Sequence, residues 1–389
     1  MPRWDVRFDL KIDLTDNVLV RLVERAHALA SVIREIPIPP YLQMELDAVN
    51  ILRAVRGTTA IEGSLVSTRE VQDIMNAPWN QRVLPPSRER EEQEVRNAQT
   101  AMYYIAKLIR RFPDHPLTEQ LICELHRQIT KDIPYENNEP GHYRSHPVNT
   151  GTYLPPETGE QVRILMKGLV EWLNTPPAVN LDPIIQALAA HFYLISIHPF
   201  GDGNGRTSRA VESFLLYKGK VNARGFYSLA NYYYQKRPEY VWHLDNARFS
   251  DEGTLMPFML FALNGLVDEL ESVHADVLNE VKFISFRDFA REKFLSHGAL
   301  GTKAGTRGFH FLMAMGRNPI ALSEVYASPL YKGMTRRTVQ RDIKFLREHD
   351  LVVVQDGQLT PNLDVMSQFT ATAELEEPIG VEDDPQEVT

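Results

Sequence analysis

Cysteine is nearly missing from this chain, and that absence narrows its chemistry first. The single thiol, Cys123, leaves no partner for an internal disulfide and no set for a cysteine-based zinc site. Long apolar runs are missing too. The most apolar stretch, Ile184 to Ile197, is too short to span a bilayer and is interrupted by Gln186 and His191. The opening residues MPRWDVRFDLKIDLTDN hold no apolar segment of the secretion type. The expectation is a soluble, cytoplasmic protein with no membrane partner. Excess positive charge is also lacking. The formal net charge is −9, which repels nucleic acid on average.

What is present is material for a core. With 389 residues and 43% apolar content, the chain can bury at least one substantial core and suggests two or three domains. Helical periodicity dominates, and no long alternating strand pattern or internal repeat occurs. Residues 17–35 place Val18, Leu22, Ala26 and Leu29 on one helical face, ended by the prolines from Pro37 to Pro40. A second helix is expected from about Leu42 to Val55, stopping at Gly57. Ser67-Thr68-Arg69-Glu70 is a capping-box pattern. The charged run Arg88 to Glu92 leads into a long helix ending near Arg111, and Pro116-Leu117-Thr118 opens another. Residues 134–160, rich in Pro, Gly, Asn and Tyr, read as a loop with a hairpin turning at Asn149-Thr150-Gly151. Helices resume at Val162–Leu173, Pro183–Ile197 and Arg206–Tyr217.

The last part of the chain changes character. Over residues 307–362, the segments Leu322–Tyr326 and Met334–Asp350 read as helices, followed by a hairpin with an Asp356-Gly357 turn. This order suggests a winged helix. Val339, Ile343 and Leu346 would form its core stripe, while Arg337, Arg341 and Lys344 share another face as candidate DNA contacts. Winged helices also serve as protein-contact modules, so DNA and protein both stand as partners. The final sixteen residues carry seven acids and no base, a composition of disordered, solubilising tails. The expected divisions are 1–90 for an N-terminal helical region, 91–280 for a central core, 281–365 for a linker helix and winged helix, and 366–389 for the acidic tail.

The chemistry concentrates in His198-Pro199-Phe200-Gly201-Asp202-Gly203-Asn204-Gly205-Arg206-Thr207-Ser208-Arg209. Pro199 puts His198 at the end of an apolar helix. A glycine-rich turn then enters a new helix, where unpaired N–H groups and the positive end of the dipole favour phosphate. Arg206 and Arg209, three residues apart, project from one face of its first turn. Asp202 is a hard oxygen ligand suited to Mg²⁺. His198 can take a proton from a hydroxyl near neutral pH. Phe200 anchors the turn in the core. Each element alone is commonly structural; all of them within twelve residues point to a site.

This run resembles the signature of the Fic (filamentation induced by cAMP) family, HxFx[D/E]GNGRxxR, at every defined position. The likeness extends through Pro140–Arg144, Val148–Gly151 and Leu165–Asn174, and covers roughly residues 40–270. It implies an all-α fold with a helical core and a small β-hairpin flap, alongside the C-terminal winged helix. It further implies ATP as substrate, with His198 as general base and Asp202 holding Mg²⁺. Gly203, Asn204 and Gly205 would form an anion hole, and Arg206 and Arg209 would hold the phosphate tail. Flap residues Thr150, Gly151, Thr152 and Tyr153 would clamp a target segment as an added strand. A kinase branch of the family looks to carry Lys where Gly205 stands, so attack at the α-phosphate and AMP transfer to a protein hydroxyl are expected. Thr58-Thr59-Ala60-Ile61-Glu62-Gly63 resembles the family's inhibitory motif, [S/T]xxxE[G/N]. Glu62 would pair with Arg209 in a bidentate, charge-assisted contact; the competing reading of Thr59-x-x-Glu62 is a capping box. Tyr233 and Tyr240 are candidates to stack on a base, or else partly buried helix residues. Two other functions remain open: a DNA-binding regulator or toxin–antitoxin-type component using the core as a nucleotide sensor, and removal of AMP as the main activity. A homodimer is a further candidate assembly.

Overall fold

Helices are separated by prolines, glycines and capping residues in the computed structural model, which describes residues 6–369 except 152, 223–228, 250–253 and 318. Thr152 and the acidic segment from 370 onward lie outside the described residues. Two compact units divide the chain, Met1–Ala275 and Asp276–Thr389. None of the described helices is long and apolar enough to cross a membrane.

The first unit opens with α1 (Asn17–Glu35), whose N-cap Asp16 accepts from the N–H groups of Val18 and Leu19. Its buried stripe is Leu19, Ala26, Ala30 and Ile33, so the face predicted from Val18 is rotated by about one residue. Apolar residues surround this helix on several sides, and periodicity alone does not choose among them. Helix α2 (Pro40–Ile61) does not stop at Gly57. A Cβ on residue 57 would stand 2.6 Å from the Asn231 nitrogen and 2.7 Å from the Ala230 carbonyl carbon. The glycine therefore marks a close crossing of two backbones, not a helix end. Helix α3 (Thr68–Asn76) begins with the predicted capping box between Ser67 and Glu70.

Next come α4 (Glu89–Arg111), α5 (Glu119–Thr130), α6 (Gly159–Leu173), α7 (Pro183–Ile197) and α8 (Asn204–Lys218). Helix α7 is buried almost all round and packs along α8, which also meets α4 and α5. A helix apolar on every side must lie inside its unit, and this one delivers its last residue to the centre of the domain. Helices α9 (Leu229–Gln235), α10 (Arg237–Phe249) and α11 (Met256–Ser296) follow, the last supplying residues to both units.

The second unit adds α12 (Lys303–Met315), β1 (Ile320–Ala321), α13 (Leu322–Ala327), α14 (Arg336–Glu348), β2 (Val352–Gln355) and β3 (Gln358–Pro361). The strands form one antiparallel sheet in the order β1-β3-β2. Asp356 and Gly357 join β2 to β3 with positive φ at both positions (51° and 75°), as a two-residue hairpin turn requires. Phe286, Phe294, Phe311, Leu312, Val339 and Leu346 centre its separate core.

Candidate functional site

Pro199 disfavours helical backbone at the residue before it, and His198 takes a left-handed conformation (φ 53°, ψ 59°) as the C-cap of α7. Its N–H still donates to the Leu194 carbonyl at 3.0 Å. This uncommon geometry for a non-glycine residue is held from several sides. Arg144 donates from Nε to the His198 carbonyl (2.7 Å), from Nη1 to that of His146 (2.8 Å) and from Nη2 to that of Pro156 (2.7 Å). The Tyr153 hydroxyl lies 2.8 Å from the Ile195 carbonyl and 2.9 Å from that of Ser196, closing the carbonyl end of the helix.

The imidazole has a defined protonation. Nδ1 of His198 is 3.2 Å from the Ile195 carbonyl, which can only accept. Nδ1 therefore bears the proton, and the neutral ring keeps its lone pair on Nε2. Burial pushes the pKa down to about 4, with help from the Arg144 charge. At neutral pH this histidine is a neutral base with Nε2 free to accept a proton.

Beyond it the chain turns through Phe200–Gly203. Asn204 ties the turn shut, its side-chain oxygen accepting from the Phe200 N–H and its Nδ2 donating to the Phe200 carbonyl, each at 2.9 Å. A side chain on Gly201 would collide with the Asn137 carbonyl. The neighbouring Asn138 oxygen accepts from the Asp202 N–H at 3.0 Å. His126 supports the turn from beneath. It accepts from the Gly141 N–H on Nδ1 (2.9 Å), donates from Nε2 to the Asp202 carbonyl (3.0 Å), and stacks on Phe200 at 3.7 Å. Burial pushes the His126 pKa down to about 4.

Gly203 (φ 75°) caps α8, which begins at Asn204 and not near Arg206. The first N–H groups of that helix have no intrahelical acceptor and form the positive end of its dipole. Arg206 donates from Nη2 to Asp202 Oδ1 (3.0 Å) and has Nη1 3.4 Å from Glu94 Oε1. Burial opposes its charge, but Tyr135, Glu62 and Glu94 around it hold its pKa above the ordinary value. Arg209 is fixed by Thr58, which accepts from Nε on its hydroxyl (2.9 Å) and from Nη2 on its carbonyl (3.1 Å). The same Nη2 meets Glu62 Oε1 at 2.7 Å. The ion pair is thus single-pronged, correcting the bidentate expectation, because Thr58 already holds the Nε edge. Nε of Arg206 and Nη1 of Arg209 are buried and make no hydrogen bond among the described residues.

Glu62 is the C-cap of α2, not the third residue of a helix, and Thr59 donates backwards to the Val55 carbonyl. The capping-box reading is therefore excluded. Burial works to raise the Glu62 pKa, but Arg209, Arg206 and hydrogen bonding keep it below the ordinary carboxylate value. Its carboxylate also touches the place where a Cβ on Gly205 would stand. His198, Asp202, Arg206, Arg209 and Glu62 come together, with the backbone of Gly203, Asn204 and Gly205 between them.

Other candidates fall elsewhere. Tyr233 and Tyr240 are 0% and 2% exposed. The Tyr233 hydroxyl donates to Glu212 at 3.0 Å, and that of Tyr240 lies 2.8 Å from His191 Nε2. Two rings engaged with each other at 4.5 Å inside the core offer no face to a base. The flap expectation falls on residues 150–153, of which Thr152 lies outside the described residues. Gly151 (φ 88°) makes the predicted turn, with its N–H donating to Asn149 at 2.8 Å, but Tyr153 is buried. Among the described residues of 134–158, Leu154 forms a single β-bridge and no longer strand is present. Arg337, Arg341 and Lys344 are exposed on α14. Sequence reasoning missed His126, Asn138, Glu94 and Tyr135, single residues on other elements whose roles exist only after folding.

The donor set bears on metal binding. Among the described residues no group of three or more His, Cys, Asp or Glu could hold an ion by itself. Asp202, with its side chain 41% exposed, is one half-open carboxylate. Such a set fits a cation that takes its remaining ligands from water and phosphate, as Mg²⁺ does.

Residues 116–216 match the Fic/DOC family. Proteins named protein adenylyltransferase Fic from Drosophila virilis and Drosophila mojavensis are each 34% identical over 172 residues, 44% of this chain and 32% and 31% of theirs. That from Drosophila ananassae is 30% identical over 205 residues, 52% of this chain and 38% of its own. The match spans about a third of the length of these relatives. In fold, the chain is similar to the crystal structure of a Fic family protein from Desulfovibrio desulfuricans G20, with a TM-score of 0.55, 19% identity and coverage of 93% of this chain and 98% of that one. It is also similar to Fic-1 (residues 134–508) from C. elegans, with a TM-score of 0.55, 24% identity and coverage of 68% and 74%. The fold is thus mostly helical and Fic-type, with a small three-stranded antiparallel sheet near the C-terminus. Residues 116–216 are thus similar to the Fic/DOC family, and about half of the chain is similar to proteins named protein adenylyltransferase Fic.

Proposed function

We propose that this chain is a protein adenylyltransferase that transfers AMP from ATP to a Tyr, Thr or Ser hydroxyl of a protein, itself included, and is restrained by its own Glu62. The observation that carries the reading is the pair of buried guanidiniums at the start of α8, Arg206 and Arg209, with N–H groups left over for an incoming acceptor. Buried donors are nearly always satisfied, so a polyanion completes this site. Its phosphates would lie against the backbone N–H groups of Asn204 and Gly205, and against that of Gly203 once it leaves the Asp202 carboxylate that it now donates to.

In the reaction, His198 Nε2 takes the proton of the target hydroxyl as its oxygen attacks the α-phosphorus. The bond from that phosphorus to the bridging oxygen breaks, and pyrophosphate leaves with charge balanced by Arg206 and Arg209. Asp202 would hold Mg²⁺, which when bound supplies positive charge to the phosphate tail. Glu62, by occupying Arg209, competes for a group the phosphates need. The Asn149–Gly151 turn, tied through Tyr153 to the end of α7, would be the surface offered to the target.

The test uses wild type, Glu62→Gly and Glu62→Gly with His198→Ala, each given α-labelled or γ-labelled ATP with Mg²⁺. Label on protein from the α-position alone, strongest in Glu62→Gly and lost in the double variant, is expected. Label from the γ-position would make the reaction phosphoryl transfer. Retention of α-label without His198 would remove the base from its role.

A further inference from the structure

Helix α14 concentrates positive charge in a chain whose net charge is −9. Its residues Arg336, Arg337, Arg341, Lys344 and Arg347 are all exposed, with Gln340 among them. At helical spacing, Arg337, Arg341 and Lys344 fall on one line, flanked by Arg336, Gln340 and Arg347. The opposite face, Val339, Ile343 and Leu346, is buried in the core of the second unit. Of the two acids on the helix, Asp342 is buried against Arg307 at 2.7 Å, and Glu348 sits at the far end, 3.5 Å from Lys344. Arg337 and Arg347 have no carboxylate partner among the described residues.

A solvated helix face usually mixes signs at i,i+4 spacing, and α4 does so where Arg90 meets Glu94. Helix α14 does not. Its basic face is held rigidly by a core of its own, follows a shorter helix, α13, and precedes the β2–β3 hairpin. The Asp356-Gly357 tip is the one acidic point on that hairpin. At 13 residues the helix is about 20 Å long and about 10–12 Å across, which matches the roughly 12 Å width of the DNA major groove.

We propose that the second unit binds double-stranded DNA, with α14 entering the major groove and the β2–β3 hairpin lying against the adjacent backbone. Arg337, Arg341 and Lys344 contact phosphates or base edges, and Gln340 is placed to read a base. This interaction is independent of nucleotide transfer and uses none of the residues around His198.

The experiment is fluorescence anisotropy of a labelled mixed-sequence duplex with the full chain, at about 50 and about 200 mM salt. Three phosphate contacts would weaken binding roughly forty-fold between those conditions. The variant Arg337→Glu with Lys344→Glu should lose binding at least ten-fold, while its thermal midpoint stays at the wild-type value. A single strand of the same length should bind more weakly than the duplex. No binding by wild type at low salt overturns the proposal. So does binding that the variant retains, which would place the contact elsewhere, or equal affinity for the single strand. Because His198→Ala should bind DNA like wild type, failure here and failure of the transferase reading are told apart.

Discussion

Arg209 reaches Glu62 through one nitrogen, Nη2, while Thr58 holds the Nε edge of the same guanidinium. The arginine is therefore anchored twice, and only one anchor is acidic. Removing Glu62 should leave Arg209 where Thr58 fixes it, free to meet phosphate. Glu62→Gln keeps an acceptor without the charge, and Glu62→Gly removes both. A charge-assisted hydrogen bond contributes about 1.5–3 kcal/mol, so Glu62→Gly should raise labelling roughly ten- to hundred-fold, with Glu62→Gln between it and wild type. Initial rates of label incorporation for the three proteins decide it. Equal rates in all three would mean that Glu62 restrains nothing.

Acid should loosen the fold through two histidines. His126 and His198 have ordinary values of 6.5 and are pushed down to about 4, in each case chiefly by burial. Above pH 6.5 both are neutral whether the chain is folded or not, and they add nothing to pH dependence. Between about 6.5 and 4 the unfolded chain binds protons that the folded one refuses, so stability falls as pH drops. The urea midpoint should decline from pH 7 to pH 5, and less steeply in His126→Gln. A slope unchanged by that substitution would mean His126 is protonated in the folded protein. The base at position 198 should serve down to about pH 5, so activity of Glu62→Gly is expected to stay level there and drop only as pH nears 4.

What sequence conveys and what it withholds divide along one line. Contiguous features are legible: the Ser67 capping box, the Asp356-Gly357 turn, and the residues from His198 to Arg209 that surround one helix entry. Features that depend on a second element are not. Gly57 reads as a stop because its neighbour, the backbone at Ala230 and Asn231, is far away in sequence. Tyr153 is a related case, since the sequence leaves its apolar ring free to face either way, and the carbonyl end of α7 captures its hydroxyl. Tyr233 and Tyr240 are taken into the core by His191 and Glu212, whose own positions carry no local signal.

Gly57 offers a direct stability test. In an exposed helix interior, glycine to alanine gains about 1 kcal/mol. Here the added carbon meets backbone atoms at 2.6–2.7 Å, which cannot rotate away as a side-chain tip can. Overpacking of this kind should outweigh the propensity gain and destabilise by about 1–3 kcal/mol. Gly301→Ala, where no atom beyond the glycine and its chain neighbours lies within 4 Å of the new carbon, is the control. Urea unfolding of both should show a loss for Gly57→Ala and a change within about 0.5 kcal/mol for Gly301→Ala. A neutral Gly57→Ala would mean that α2 and α9 can separate freely.

Gly205 is crowded by a different kind of neighbour. A Cβ there collides with Glu62 Oε1 and stands 3.2 Å from Arg209 Nη1. The carboxylate is the mobile end of a side chain, so Gly205→Ala should push Glu62 off Arg209 and relieve part of the restraint. With Glu62→Gly already present there is nothing to displace, and the same methyl group only narrows the space where phosphate must approach the backbone. The substitution should therefore raise labelling several-fold in wild type and lower it in Glu62→Gly. A double-mutant cycle on initial rates reads the sign reversal as a coupling between positions 62 and 205. If alanine lowers both proteins by the same factor, the two residues do not compete for the space, and the contact between carboxylate and glycine has no part in the proposed restraint.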